Sequence, residues 1–174
     1  MLIRSIVLLS VSALPALAQT SSPSPVAYAR TLWREVSTYL TKTAADTPDS
    51  LYSYKPTSDV RSVGEIIDHI AASQNGYCRL ALGEKPTGGG DGTGAKTKSD
   101  IVSALRASND LCAKAYAQTD IDAAQPAYEG DKRSRLFQLL ENAMHDNEHY
   151  GNLVTYLRLN GRVPPSSQPT APKP

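Results

Sequence analysis

The chain has 174 residues, of which 40% are hydrophobic and 20% are charged, with 18 Lys and Arg against 17 Asp and Glu. A formal net charge of +1 gives no electrostatic reason to bind nucleic acid or anionic lipid, so we expect no nucleic-acid partner. The length is enough for one domain with one hydrophobic core.

The first 18 residues have the pattern of a secretory signal peptide. A basic start at Arg4 leads into an apolar run, Ile6–Leu17, and small residues in Ala16–Ala18 form a cleavage pattern. The run is too short and too interrupted for a transmembrane helix, although an uncleaved anchor is the alternative. We therefore expect a secreted or periplasmic protein, with no stable membrane insertion once residues 1–18 are removed.

Segments rich in Pro and Ser flank the part of the chain that can form a core. Residues 19–25 are predicted to be a disordered leader, and residues 162–174 a disordered Pro-rich tail. Between them, in residues 26–161, four stretches carry apolar residues at helical spacing, and strand-like alternation is scarce. The expected fold class is therefore all-α, a four-helix bundle.

The first two helices have clear boundaries. The first is predicted from about Val26 to Ala45, with its inward residues at Leu32, Val36, Tyr39 and Leu40. The second begins at Ser62, because the S-x-x-E spacing to Glu65 predicts a capping box, and it ends at Gly83.

The stretch "EKPTGGGDGTGAKTK" separates the second helix from the third. It is not a phosphate-binding loop, because Gly does not directly precede Lys and no strand comes before it, so we predict a flexible crossover. The third helix is predicted from about Thr97 to Thr119, and the fourth from about Ser134 to Asn160. Gly161 and the prolines that follow end the fourth helix.

Two cysteines, Cys78 and Cys112, lie in the predicted second and third helices. An even number of cysteines in a chain bound for an oxidising compartment favours a disulfide, and two buried free thiols are the alternative. A disulfide requires that the two helices place these positions at the same level.

The three histidines of the chain are candidate metal ligands. His145 and His149 lie four residues apart on the fourth helix, so both project from one face of it and can bind one metal ion. His69 on the second helix can supply a third ligand, as facing helices of bundles do. Three imidazoles suit zinc, nickel, iron or copper. The alternatives are solvent-exposed histidines, or histidines hydrogen-bonded to carboxylates, because both helical wheels place them beside the apolar stripe.

Several carboxylates lie near these histidines in sequence. A metal-bound histidine usually donates its second N–H to a carboxylate or a carbonyl, and Glu65, Asp68 or Asp146 could accept it. A hydrolytic site also needs a base, for which Asp146 and Glu148 are the candidates.

Two segments, "YKPTSDVRSVGEIIDHIAAS" (54–73) and "HDNEHYGNLVTYLRLNGRVPPSS" (145–167), resemble the two signature regions of the DinB-like family, the DinB/YfiT superfamily. The resemblance extends over roughly residues 26–167. It implies an up-down-down-up bundle, in which a long crossover joins parallel second and third helices. That arrangement places Cys78 and Cys112 at the same level and so favours the disulfide.

The resemblance also implies a function. In this family one histidine of the second helix and two of the fourth bind a divalent metal, often nickel or zinc, and these positions correspond to His69, His145 and His149. Better-understood relatives are cytoplasmic transferases or isomerases that use low-molecular-weight thiols. This chain differs in its predicted signal peptide, which argues against thiol transfer because such thiols are rarely reduced outside the cytoplasm.

Three functions are compatible with these residues. The first is a metal-dependent hydrolase or transferase of the cell envelope that acts on a small-molecule substrate, since three protein ligands leave coordination positions open. The second is a non-catalytic module that binds a metal or another ligand. The third is a structural bundle in which the histidines have no chemical role. Each is compatible with a monomer or a homodimer.

Overall fold

The structure, a computed structural model, describes residues 23–87, 90–128 and 131–169. Helices account for the regular structure of these residues, and no strand is formed within them. The α-helices are α1 (Pro25–Asp46), α2 (Val63–Ala81), α3 (Lys98–Ala115), α4 (Asp120–Ala123) and α5 (Arg135–Leu159). The predicted all-α class is confirmed. The predicted signal peptide, residues 1–18, lies outside the described residues, as do residues 19–22 of the leader and 170–174 of the tail.

Each of the four long helices begins at a hydroxyl side chain that accepts a hydrogen bond from a backbone N–H in the first turn. These N-cap residues are Ser24, Ser62, Thr97 and Ser134. The capping box predicted for α2 is present, since the Glu65 carboxylate accepts from the Ser62 backbone in return. Caps of this kind contribute about 1 kcal/mol each to stability. They explain why the predicted starts of these helices agree with the observed ones to within about two residues.

Helices α2 and α3 pack side by side and run in the same direction. Their first turns meet in one hydrophobic cluster, which contains Val63 and Ile101. Their last turns meet in a second cluster, which contains Cys78 and Cys112. The connection between the two helices therefore returns the chain from the end of α2 to the start of α3, as the family resemblance implies.

Helices α1 and α5 form the other parallel pair. Leu40 and Leu153, near the ends of these helices, lie in the cluster that holds the first turns of α2 and α3. Val26 and Leu139, near their starts, lie in the cluster that holds the last turns. Both helices therefore run antiparallel to α2 and α3. No helix in the described ranges is both long and apolar enough to span a bilayer.

The predicted disulfide is present between Cys78 and Cys112, with Cα atoms 5.1 Å apart. The two residues are separated by 34 positions in the sequence. Closing a loop of this length in the unfolded chain corresponds to about 3–4 kcal/mol of stabilisation in the chain-entropy treatment. The bond joins the last turns of the two parallel helices.

The buried face of α5 is more polar than the apolar pattern predicts. Gln138, Asn142 and Asp146 are completely buried, whereas Leu140 is 39% exposed. Each of these side chains makes one hydrogen bond: the Gln138 amide donates to Asp131, the Asn142 amide donates to the Tyr116 hydroxyl, 3.2 Å away, and Asp146 accepts from Gln74. Burial of a polar side chain is tolerated when it is hydrogen-bonded, so hydrophobicity alone misplaces this face.

The predicted disorder of the tail does not hold for residues 162–169. Pro164 is buried, and Pro165–Ser167 form a short 3-10 helix. The Tyr150 hydroxyl accepts a hydrogen bond from the Ser166 backbone N–H and donates one to the Ser166 hydroxyl, both at 2.9 Å. Proline-rich composition predicts disorder when nothing packs against the segment, and here α5 supplies the packing surface.

Candidate metal centre

The three predicted ligands come together between α2 and α5. His69 projects from α2, and His145 and His149 project from successive turns of α5. The Nε2 atom of His145 lies 3.1 Å from the Nε2 atom of His69 and 3.1 Å from that of His149. Candidate ligand atoms of the three residues all lie within 4.8 Å of one another.

The helix faces explain this convergence. His69 lies between the buried Asp68 and Ile70, at the edge of the buried face of α2, and α2 packs along α5. On α5 the i, i+4 spacing stacks the other two imidazoles on one side. All three rings are half-buried. The cluster therefore lies at the boundary between the bundle interior and solvent.

The distances and the donor set fit a divalent transition metal ion. Zinc–nitrogen bonds of 2.0–2.1 Å in a tetrahedral site place ligand nitrogens about 3.3 Å apart. The Nε2 atoms here are separated by 3.1 Å in two of their three pairs. A neutral imidazole has a proton on only one nitrogen, so the three Nε2 atoms do not all satisfy one another. A cation at the centre of the cluster would satisfy all three lone pairs.

The histidines are held in the form that binds metal. Burial is the largest cause of a lowered pKa at each of His69, His145 and His149, and it lowers the pKa of His145 to about 4. The positive charge of Arg61 acts in the same direction on all three. The imidazoles are therefore neutral at pH 7, and neutral imidazole is the ligating form.

The outer nitrogens of the cluster have few partners. The Nδ1 atoms of His69 and His145 are buried and have no hydrogen-bond partner of good geometry among the described residues, although the backbone of Gly90 and Asp91 lies near enough to the His69 ring to act on its pKa. The Nδ1 atom of His149 lies 3.5 Å from the side-chain amide nitrogen of Asn152. If that amide is rotated to present its oxygen, it can accept the N–H that a metal-bound His149 would carry on Nδ1.

The prediction that a nearby carboxylate orients the histidines is wrong for the described residues. Each candidate carboxylate is bound to another group: Asp68 to Thr93 and Gly94, Asp146 to Gln74, and Glu65 to Ser62. Asp68 accepts hydrogen bonds from residues of the crossover, and Glu65 caps the start of α2. Both carboxylates therefore stabilise the backbone near the histidines and not the imidazoles themselves. Sequence proximity alone does not indicate the direction in which these side chains point.

Asp146 is also wrongly predicted as a base. It is 0% exposed, its Oδ2 atom accepts a 2.7 Å hydrogen bond from Gln74, and burial raises its pKa to about 8. Its position in the core separates it from any substrate in solvent. Glu148 is exposed, and its charge raises the pKa of the neighbouring His149. Of the two predicted bases, only Glu148 lies at the surface beside the cluster.

A cleft of about 650 Å³ opens beside His149. Its lining includes Arg61 and Lys55 from the segment before α2, and Tyr156 from α5. On another side of the cluster, the ring of Tyr77 lies 5.7 Å from the ring of His145. Arg61 is a residue of the site that the sequence pattern does not predict. It lies eight positions before His69, which is about two helical turns, but it precedes the first residue of α2, so helical spacing does not place it.

Residues 32–153 match the sequence model of the DinB superfamily. Counted from 32 to 153 inclusive, the match covers 122 of the 174 residues, and it contains all three histidines of the cluster and both cysteines of the disulfide. Neither a curated protein nor a solved structure is significantly similar to the chain.

Proposed function

The chain belongs to the DinB superfamily, and on that premise we propose that His69, His145 and His149 hold one divalent metal ion, nickel or zinc. The observation that carries this proposal is the convergence of the three Nε2 atoms, with His145 3.1 Å from both of the others. Three neutral imidazoles leave the positive charge of such an ion uncompensated and leave coordination positions open.

We further propose that the site acts as a metal-dependent hydrolase or transferase on a small molecule. A bound divalent ion would supply a Lewis acid able to polarise a substrate or activate a water or thiol group. The protein supplies a cleft beside His149 in which a substrate can approach the open side of the cluster.

A non-catalytic binding module is the second candidate. It is favoured by the position of Asp146, which is fully buried and is not available as a base. The two functions differ in turnover. Metal-loaded protein that converts an ester, a lactone or a thiol acceptor in proportion to its metal content supports an enzyme. Stable metal binding without conversion of any of them supports the module.

We also propose that the protein acts outside the cytoplasm, in the periplasm or as a secreted protein. The Cys78–Cys112 disulfide supports this location, because such bonds persist in oxidising compartments. The pattern of the first 18 residues agrees with it.

Metal content tests the proposed site. Purified protein is incubated with zinc or nickel, freed of unbound ions and measured by elemental mass spectrometry. We expect about one ion per chain in the native protein. His69→Gln, His145→Gln and His149→Gln should each lose most of it, because each removes one of three ligands while keeping a polar side chain of similar size.

Arg106→Gln is the matched control, since Arg106 is exposed on α3 and its side chain makes no hydrogen bond to the described residues. It should bind metal as the native protein does. Circular dichroism of each variant shows whether it remains helical. Retention of one ion per chain by all three folded histidine variants would contradict the proposed site.

A further inference from the structure

Arg61 lies at the edge of the cleft, and its backbone is held in place. It precedes the N-cap residue Ser62, and its carbonyl oxygen accepts a 3.1 Å hydrogen bond from the Tyr156 hydroxyl of α5. Its side chain lines the same cleft as His149. The guanidinium is therefore presented from an anchored backbone into the space beside the histidines.

The charge of Arg61 is unfavourable for a metal site taken alone. Its side chain and that of His149 line one cleft, so a fixed positive charge lies beside the proposed metal position. Like charges repel, so this charge disfavours a metal cation there. The arrangement becomes favourable when an anion binds between the guanidinium and the metal position.

The Asp91 carboxylate already forms an ion pair with one side of the Arg61 guanidinium. Asp91 Oδ1 lies 2.8 Å from Arg61 Nη2, and the side chains of Asp91 and Arg61 are 97% and 39% exposed. An ion pair as exposed as this contributes little to stability, so it can be exchanged. Arg61 has five N–H groups, and only the one that faces Asp91 has a hydrogen-bond partner among the described residues.

We propose that the ligand of this site is a small organic anion whose carboxylate replaces Asp91 on Arg61 while its other polar group faces the three histidines. This inference rests on the proposed metal site and adds the substrate class to it. A carboxylate is favoured over a doubly charged phosphate because the cleft is also lined by Asp59 and Glu65. Arginine binds carboxylates through two parallel hydrogen bonds, which fixes the orientation of the ligand.

Paired hydroxamates test the ligand class. Each pair shares a hydroxamate, which binds divalent metals, and ends in either a carboxylate or the corresponding carboxamide, with one, two or three methylenes between the two ends. Binding to zinc- or nickel-loaded protein is measured by calorimetry. At the best length, we expect the acid to bind about tenfold or more tightly than its amide, since the acid alone makes charge-assisted hydrogen bonds to Arg61.

Variants at Arg61 test whether this residue causes the preference for the acid over the amide. In Arg61→Gln, metal content should stay near one per chain and the acid-to-amide ratio should fall to about one. Arg61→Lys should keep part of the preference, because the charge stays and the paired geometry is lost. Asp91→Asn should tighten binding of the acid, because it removes the competing carboxylate. Arg106→Gln should leave the ratio unchanged.

The outcomes separate the two proposals. Native protein that holds one metal ion but binds acid and amide equally at all three lengths overturns the anion proposal alone. A preference that survives unchanged in both Arg61→Gln and Arg61→Lys overturns it as well. Native protein that holds no metal ion overturns the proposed metal site, and with it the ligand class inferred from that site.

Discussion

The protonation state of three side chains decides whether the centre can bind a metal. His69, His145 and His149 are each half-buried, and burial is the largest cause of the lowered pKa of each imidazole. Because their pKa values in the folded chain lie below the ordinary 6.5, the unfolded chain takes up protons first as the pH falls. In the metal-free protein these groups therefore favour folding less at pH 5 than at pH 7.

The imidazole titrations can be measured directly in the metal-free protein by NMR of the ring protons. We expect all three histidines to titrate below 6.5, with the lowest midpoint near 4, assigned to His145. His69→Gln should raise that midpoint, because the neighbouring imidazoles are part of its cause. A midpoint at or above 6.5 for any of the three in the folded native protein would contradict the buried, converging geometry.

The convergence of the three histidines was predictable from the sequence, and their surroundings were not. The i, i+4 pair His145 and His149 needs only helix geometry, and His69 follows from the family pattern. By contrast, Asp146 is completely buried, and the side chain that donates a hydrogen bond to its carboxylate is Gln74, 72 positions earlier. Arg61 lies at the site because the crossover and α5 surround it. Contacts between residues so distant in sequence leave no local pattern.

At the scale of the elements, the disulfide ties together the two helices that the long crossover joins. It lies in the hydrophobic cluster formed by the last turns of α2 and α3, whereas His69 lies about two and a half turns earlier on α2. The disulfide therefore stabilises the pair of helices without contacting the metal centre, and its effect on stability can be separated from that on metal binding.

Cys78→Ser/Cys112→Ser should lower the free energy of unfolding by about 3–4 kcal/mol, because the unfolded chain regains the freedom of an open loop. Urea unfolding of the folded variant beside the native protein measures this difference. The variant should still bind about one metal ion per chain.

Native protein expressed with its own leader should be recovered outside the cytoplasm. Cys78 and Cys112 are completely buried, so their thiols are tested in denaturant, where they should react with an alkylating reagent only after reduction. Recovery in the cytoplasm with both thiols free would contradict the proposed extracytoplasmic location.

Helix boundaries were predictable because their causes are local. The S-x-x-E pattern at Ser62 and Glu65 and the glycine after α5 are short-range signals, and the structure contains both features. The order of the tail was not predictable in this way. It depends on the Tyr150 hydroxyl, which lies 16 positions before its partner Ser166. Composition predicts whether a segment is disordered when nothing packs against it. Here α5 provides a packing surface, and the segment is ordered.

At the scale of the whole molecule, the site exists because α2 and α5 are neighbours. Helical periodicity predicts which face of each helix is apolar but not which helices pack together or in which direction they run. Those relations came from the family resemblance. The two core clusters place α2 parallel to α3 and antiparallel to α1 and α5. With α2 and α5 adjacent, the Nε2 atoms of two histidines 76 positions apart in the sequence lie 3.1 Å from each other.

The central claim is that His69, His145 and His149 hold one divalent ion, and anomalous diffraction from a crystal of metal-loaded protein tests it most directly. Data collected on either side of the absorption edge of the metal locate it without reference to the protein atoms. We predict one strong peak about 2.0–2.1 Å from the Nε2 atom of each histidine. No peak there, or a peak only at exposed carboxylates, would contradict the account.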